Sequence, residues 1–319
     1  MDSPGSPLKI VFMGTADLAC SSLRSLLTWP GCQVVAVVSQ PDKPKGRDLQ
    51  LVPTPVKQVA EAAGVPVLQP AKARLPEFLG QLRQLAPDLI VVAAYGQILP
   101  QALLDIPGLG CLNVHTSLLP RHRGAAPIQW AIAEGDAVTG VTIMKMDAGL
   151  DTGPMLSTVE TEILSSDDGQ SLHDRLAQLG GELLVKTIPD HAAGRITPRP
   201  QPTEGMTYAR KITKDDGRID WGLPATKVWN RIRAFTPWPG AFTRLPGTTD
   251  RSLLKVFLAS AEEGHGAPGT IISADDSGLL VACGTGSLRV REMQREGGKR
   301  LKAGDFLRGF QLVAGQKLD

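Results

Sequence analysis

Residues 111–124 read CLNVHTSLLPRHRG, and this stretch decides the fold. A strand-sized apolar run carries Asn113, ends at His115 and passes at once into a loop holding Pro120 and Gly124. Residues two apart on a strand share a face, so Asn113 and His115 point the same way. Ligands of open α/β sheets bind beyond the carboxyl ends of the strands, which is where this pair stands. Upstream lie apolar runs at 9–13, 34–39 and 89–94, and downstream another at 141–144. Between the first two, residues 17–27 place Leu18, Leu23, Leu26 and Leu27 near one helical face. Residues 165–188 place Leu172, Leu176, Leu179 and Leu183 at three- and four-residue spacing. Strands interleaved with helices predict an α/β, Rossmann-like parallel sheet with right-handed crossovers over residues 1–190.

The pattern then changes. Residues 191–207 include Pro198, Pro200 and Pro202 without apolar periodicity, which predicts a linker. Beyond it Ala225, Val228, Trp229, Ile232 and Phe235 form one helical stripe that stops at Pro237. Short alternating runs at 253–258, 270–272, 279–282 and 288–291, separated by glycine-containing turns, predict a small β-barrel of the oligonucleotide-binding kind over 208–319.

Composition sets the outer bounds. A chain of 319 residues is long for one domain and suits two. With 42% hydrophobic and 21% charged residues and a mean hydropathy of -0.04, it reads as a folded globular protein rather than a disordered one. No run approaches the roughly 18 apolar residues of a membrane helix, so no membrane partner is expected. The opening MDSPGSP has neither a basic segment nor an apolar one, which argues against export. Cys20, Cys32, Cys111 and Cys283 are scattered without a C-x-x-C pair, so neither a metal site nor a disulfide framework is expected. They are expected to be free, mostly buried thiols of a reducing cytoplasm. Residues 1–207 carry 16 Lys and Arg against 20 Asp and Glu, whereas residues 208–319 carry 18 against 12. An excess of positive charge in the second part suits a polyanionic partner. Nothing in the sequence demands more than a monomer.

The residue types near 111–153 fit acyl-transfer chemistry. An amide such as Asn113 can donate to a developing oxyanion, and an imidazole such as His115 can exchange a proton. Asp151, in the turn DAGLDTG at 147–153, can orient that imidazole and keep it protonated. On residue types alone, an Asn and a His at a strand end are equally read as ordinary hydrogen-bonding groups. His122, His173, His191 and His265 read as solvated surface residues. Gly14 to Asp17 lacks the spacing of a phosphate loop and reads as a strand-to-helix turn that Asp17 caps. Trp221, Trp229, Trp238 and Phe235 can stack on nucleotides, but the shared apolar stripe favours packing for all four.

Longer stretches carry a resemblance. CLNVHTSLLPRHRGAAPIQWA and GVTIMKMDAGLDTGPML resemble the signature of the folate-dependent formyltransferases. VSQPDKPKGRDLQLVPTPVK is similar to a loop found in the members that act on methionyl-tRNA, and YARKITKDDGRIDW and IRAFTPWPGAFT match their second domain. The resemblance covers nearly the whole chain. It implies transfer of the formyl group of 10-formyltetrahydrofolate to the α-amino group of methionine on initiator methionyl-tRNA, with no metal. It assigns catalysis to Asn113, His115 and Asp151. The folate falls to Ser117, Leu118, Leu119 and Pro120, with Tyr95, Gly96, Gln97, Ile98 and Leu99 as part of the pterin pocket wall. Lys43, Lys45 and Arg47 of the proline-stiffened loop then meet the tRNA, with Arg210, Lys211, Arg231, Arg233, Lys299 and Arg300 as the second basic surface. Asp48 and Gln50 stand where relatives often carry basic residues, so this loop is less positive than usual. A formyltransferase for a small amine would share the catalytic trio but would not explain the basic loop. An inactive RNA-binding protein would not need the trio, and a folate hydrolase would not need tRNA.

Overall fold

The computed structural model describes residues 6–45, 50–246 and 253–319. They form two compact units. One comprises the chain up to Gly124 with 138–162 and 173–208, and the other comprises 125–137, 163–172 and 209–319.

In chain order the first elements are β1 (Leu8–Gly14), α1 (Leu18–Thr28), β2 (Cys32–Val38), β3 (Lys43–Lys45), β4 (Gln50–Val52), α2 (Pro55–Ala62), β5 (Val67–Leu68), α3 (Pro76–Leu85) and β6 (Leu89–Ala93). The short α4 (Gln101–Leu104), β7 (Cys111–His115) and the two-residue β8 (Arg123–Gly124) follow. Next come α5 (Pro127–Glu134), β9 (Val138–Lys145), β10 (Met155–Glu162) and α6 (Gly169–Ala192). A seven-stranded sheet has the order β10-β9-β7-β6-β1-β2-β5. Its five strands from β7 to β5 are parallel, as the interleaved pattern predicts. Ile10, Val11, Phe12 and Met13 of β1 are wholly buried, so the strand is covered on both faces. Such burial is worth about 1.5–3 kcal/mol for each large apolar side chain. The edge departs from the expectation of a purely parallel sheet. The run at 141–144 is the middle of β9, which is antiparallel to β7, and β10 returns antiparallel to β9. β10 escapes a search for apolar runs because Ser157, Thr158, Glu160, Thr161 and Glu162 make it a wet edge strand.

Helix boundaries follow local chemistry. At α2 the Thr54 hydroxyl accepts from the Lys57 N–H at 3.2 Å, and Pro55 occupies the first turn. The long helix α6 starts later than the apolar spacing suggests, because the Asp168 carboxylate accepts the N–H groups of Gln170 and Ser171 at 2.9 and 2.8 Å. Its buried stripe includes Leu176, Leu184 and Ile188, while Leu179 and Leu183 are only half-buried. Asp17 precedes α1 but its side chain makes no cap hydrogen bond, contrary to expectation. The turn at 15–16 is held instead by the N–H groups of Thr15 and Ala16 donating to the Ala94 carbonyl.

The remaining elements are β11 (Tyr208–Ala209), a 3-10 turn at Lys214–Gly217, α7 (Ala225–Ala234), β12 (Ala241–Arg244), β13 (Leu253–Glu262), β14 (Ile271–Asp275), β15 (Gly278–Ala282), β16 (Ser287–Arg295), β17 (Leu301–Lys302) and α8 (Ala303–Gly309). The strands from β12 on form one antiparallel sheet, ordered β12-β13-β16-β15-β14, with β17 on β16. The C-terminal tail joins its two edges. Arg244 and Asp319 exchange backbone hydrogen bonds of 3.0 and 3.3 Å, while the Ile271 N–H donates to the Gln316 carbonyl at 2.8 Å and the Leu318 N–H to the Gly269 carbonyl at 2.9 Å. Those bonds bring the β12 and β14 edges together through the tail, as the small barrel that the turn spacing predicts requires. Trp221, Ile232, Leu254, Leu288 and Leu318 lie in its core.

Candidate active site

Strand β7 pairs with β6 on one side and β9 on the other, so Asn113 is fixed by two ladders and His115, opposite Thr142, by the β9 ladder. Both side chains are buried and both reach Asp151. The Asn113 Nδ2 donates to Asp151 Oδ1 at 3.3 Å, and His115 Nδ1 lies 3.7 Å from Asp151 Oδ2. The latter distance is longer than a hydrogen bond. The imidazole is oriented from its other side, where Nε2 is 3.0 Å from the backbone carbonyl of His122. A carbonyl only accepts, so Nε2 carries the proton and Nδ1 is the nitrogen turned toward Asp151. The ring is thus held by the His122 carbonyl on one side and faces the Asp151 carboxylate on the other.

His122 is not a surface residue. It is buried, its backbone is left-handed at φ 57°, and its N–H donates to the Thr207 hydroxyl at 2.8 Å. This conformation aims its carbonyl at His115. His191, also expected to be solvated, places Nε2 2.9 Å from the Leu109 carbonyl.

Asp151 sits on the loop between β9 and β10 with a left-handed φ of 52°. Aspartate tolerates that region better than most residues, but it still requires support from its surroundings. Three contacts supply it. The Gly124 N–H donates to Asp151 Oδ2 at 2.8 Å, and Gln201 Nε2 donates to the backbone carbonyls of Asp151 and Gly153, both at 2.8 Å. Gly153 has to be glycine, because a Cβ there would stand 1.8 Å from the Lys145 carbonyl oxygen. Gln201 comes from the stretch expected to be a linker. That stretch is instead stitched to this unit: Arg199 and Met155 exchange backbone hydrogen bonds of 2.8 and 2.9 Å, and the Arg123 N–H donates to the Thr207 carbonyl at 2.9 Å.

The segments assigned to folate differ in character. The Ser117 hydroxyl is committed to the Arg121 carbonyl at 2.7 Å, and the Thr142 hydroxyl donates to the Ser117 carbonyl at 2.7 Å. Ser117 and Leu119 are buried, which leaves Leu118 and Pro120 partly accessible. In the other segment Tyr95 and Leu99 are buried, Gly96 has φ 82°, and Ile98 is 86% exposed. Gln97 Oε1 accepts from the Ala73 N–H at 2.9 Å. The Tyr95 hydroxyl is buried without a hydrogen-bond partner, and burial pushes its pKa up to about 12.

Among the cations, Lys43 is exposed on the β3–β4 hairpin, whose base is tied by a 2.6 Å ion pair from Lys57 to Asp42. Lys45 lies in β3, and Arg47 lies outside the described residues. Lys211 and Lys299 are exposed. Arg300 stacks on Phe257 at 4.5 Å and donates from Nε to Glu292 at 2.7 Å. Arg210 pairs with Asp216 and lies over Trp130, and Arg231 lies over Phe235. Arg233 is consumed internally. Its guanidinium lies 4.0 Å over Trp229 and donates to the carbonyls of Leu164 and Asp167 at 3.0 and 2.8 Å and to Asn230 at 2.9 Å. These bonds commit the half-buried guanidinium to its own unit. Trp221 and Phe235 are buried as expected and Trp229 packs against the core, but Trp238 is 53% exposed.

Among the described residues no group of three or more His, Cys, Asp or Glu side chains is placed to hold a metal ion. No helix of these residues is long and apolar enough to cross a membrane. The four cysteines are unpaired, and burial pushes the Cys111 thiol up to about 12 and the other three to about 11.

A mainly parallel sheet whose antiparallel edge brings a carboxylate to an amide and an imidazole, followed in the chain by a small barrel, has the parts of a group-transfer enzyme. The chain belongs to the formyl transferase family: the formyl transferase profile matches residues 8–188, and that of the formyl transferase C-terminal domain matches residues 211–311. Within that family, the methionyl-tRNA formyltransferase of Citrifermentans bemidjiense is 55% identical over 97% of this chain and 95% of its own. The methionyl-tRNA formyltransferase of Myxococcus xanthus is 53% identical over 97% of each. Solved structures share the fold at low identity. HypX from Aquifex aeolicus in complex with tetrahydrofolic acid is 18% identical with a TM-score of 0.60, over 98% of this chain and 51% of that one, so the chain spans about half of HypX. An N-formyltransferase from Helicobacter canadensis, in complex with folinic acid and dTDP-3-aminofucose, is 16% identical with a TM-score of 0.63, over 89% and 98%.

Sequence reading missed Arg123, Gln201 and the backbone of His122. Arg123 lies inside the opening stretch, but nothing in the spacing tells that it points to Gln201. A single amide within a Pro-x-Pro-x-Pro stretch was the one available hint for Gln201.

Proposed function

We propose that this enzyme transfers the formyl group of 10-formyltetrahydrofolate to the free α-amino group of methionine on initiator methionyl-tRNA, giving N-formylmethionyl-tRNA for translation initiation. The observation that carries the reading is identity above 50% with methionyl-tRNA formyltransferases over nearly the full length of both chains. Residues 1–190 act as the catalytic domain, 191–207 complete it along the Asp151 loop, and 208–319 act as a tRNA-binding barrel. The protein works as a cytoplasmic monomer.

The folate supplies the formyl carbon when bound. The buried Tyr95 and Leu99 beside the exposed Ile98 offer an apolar shelf suited to a flat ring, with Leu118 and Pro120 as a second contact. Asn113 Nδ2 carries two N–H groups; one is spent on Asp151, and the other donates to the formyl oxygen as negative charge develops. As the bond from the amine to the formyl carbon forms and the bond from that carbon to N10 of the folate breaks, His115 Nδ1 and the Asp151 carboxylate, which face each other, pass the proton that the amine loses to the departing N10. No covalent enzyme intermediate is required. Lys43, Lys45 and Arg47 bind the acceptor end of the tRNA, while Lys211, Lys299, Arg300, Arg210 and Arg231 add a second phosphate-binding surface.

The test is transfer of labelled formyl from 10-formyltetrahydrofolate to charged initiator methionyl-tRNA, with charged elongator methionyl-tRNA and a reaction lacking tRNA alongside. Rapid labelling of the initiator alone is expected. Consumption of the folate with no label on either tRNA would overturn the reading and leave a small amine or water as the acceptor.

A further inference from the structure

Gln201 makes four hydrogen bonds with one planar amide. Nε2 donates to the carbonyls of Asp151 and Gly153 at 2.8 Å each, and Oε1 accepts from Arg123 Nε and Nη2 at 2.9 and 2.7 Å. Both hydrogens and both lone pairs are therefore used. Arg123 is itself buried, and its Nη1 also meets the Met206 sulfur at 3.0 Å. The next residue along, Gly124, donates its N–H to the Asp151 carboxylate. Asp151 is thus gripped at two points by one assembly: its carboxylate through Gly124, and its main chain through Gln201, which Arg123 holds in place.

We propose that Gln201 is a positioning residue for formyl transfer, acting through Asp151 from a stretch of chain that looks like a connector. The inference rests on the reading of Asp151 as part of the reacting centre. A left-handed aspartate in a loop with glycines at 149 and 153 has other backbone conformations open to it once its carbonyl is released. Each of them would swing the carboxylate away from His115 Nδ1 and the Asn113 amide. Misplacement of a reacting group by about 1 Å can cost on the order of 10²-fold in rate. Neither donor contact of Gln201 reaches the apolar core. Both go to the loop that carries the carboxylate, so the amide's effect falls on the rate more than on the fold.

The discriminating variant is Gln201→Glu. It keeps two acceptors for Arg123 but removes both donors and sets an oxygen against the Asp151 and Gly153 carbonyls. In formyl transfer to initiator methionyl-tRNA, kcat is expected to fall by about 10- to 100-fold. KM for both substrates and the thermal midpoint should stay near wild type, a split that a merely structural residue would not give. Gln201→Met, which removes all four bonds without adding charge, should show the same fall in kcat. It serves as the deciding variant if Gln201→Glu does not fold. Combined with Asp151→Asn, Gln201→Glu should slow the reaction no further than Asp151→Asn alone, because the group it positions is already lost. A Gln201 variant with wild-type kcat, or one whose effect multiplies in full with that of Asp151→Asn, overturns the inference while leaving the site reading intact. Wild-type kcat in Asp151→Asn overturns the site reading, and the inference with it.

Discussion

Two carboxylates, one in each compact unit, are held in contrasting ways. Asp216 is buried, forms a capping box with Thr213 through bonds of 2.8 and 2.9 Å, and pairs with Arg210. The Arg210 guanidinium, with the Thr213 contacts adding to it, holds the Asp216 carboxyl well below the usual carboxylate range. Asp151 is held just as firmly, but its hydrogen-bond donors are the neutral Asn113 amide and Gly124 N–H, and it faces an imidazole across 3.7 Å. Arg123, which could have paired with it, is turned onto Gln201 instead. A carboxylate paired with arginine is fixed as an anion and stabilises the fold, whereas Asp151 is held by neutral groups in a place where its open neighbour is the imidazole of His115.

Breaking each side of this contrast gives different outcomes. The largest effect is expected for His115→Ala, which removes the partner of Asp151 and should lower kcat by about 10³-fold with tRNA affinity retained; steady-state kinetics and filter binding check both halves. Asn113→Ala should cost about 10²-fold in kcat, since it removes the proposed oxyanion donor and its bond to Asp151. Asp216→Asn should leave the chemical step alone and destabilise the protein by about 2 kcal/mol in urea unfolding at pH 7, the scale of hydrogen bonds to a charged group. A depressed carboxyl contributes its full stability above its unfolded pKa of about 3.9 and loses it as pH falls toward the folded value, so the gap between wild type and Asp216→Asn should begin to narrow below about pH 4 and keep narrowing with further acidification. The smallest effect sharpens the same point among the cations. Lys299→Ala should reduce the salt dependence of tRNA binding by about one unit of slope, whereas Arg233→Ala should lower thermal stability and leave that slope unchanged.

Much of this was legible in the sequence because it rests on periodicity. The buried strands β1, β6 and β7 announce themselves as apolar runs, and the face shared by Asn113 and His115 follows from strand geometry. The helix stripe from Ala225 to Phe235 holds for the same reason. What stayed hidden depends on partners distant in sequence. β10 alternates polar residues at a sheet edge, and barrel closure by residues 316–319 is a matter of backbone bonds. Counting charge treats Arg233 and Lys299 alike, although one is wrapped in carbonyls and the other meets solvent. The role of the His122 carbonyl depends on a left-handed φ that no residue type dictates. The prolines around Gln201 suggest a connector, yet they also keep that segment extended along the unit it serves.

On the proposed reading, Asp151 takes part in the reaction and Asp216 holds the fold. The direct measurement is the single-turnover rate of formyl transfer by Asp151→Asn with both substrates saturating, on protein whose urea midpoint is also recorded. The account predicts a rate lower by about 10³-fold at an unchanged midpoint. A rate within a few-fold of wild type, or a loss explained by unfolding, would contradict it.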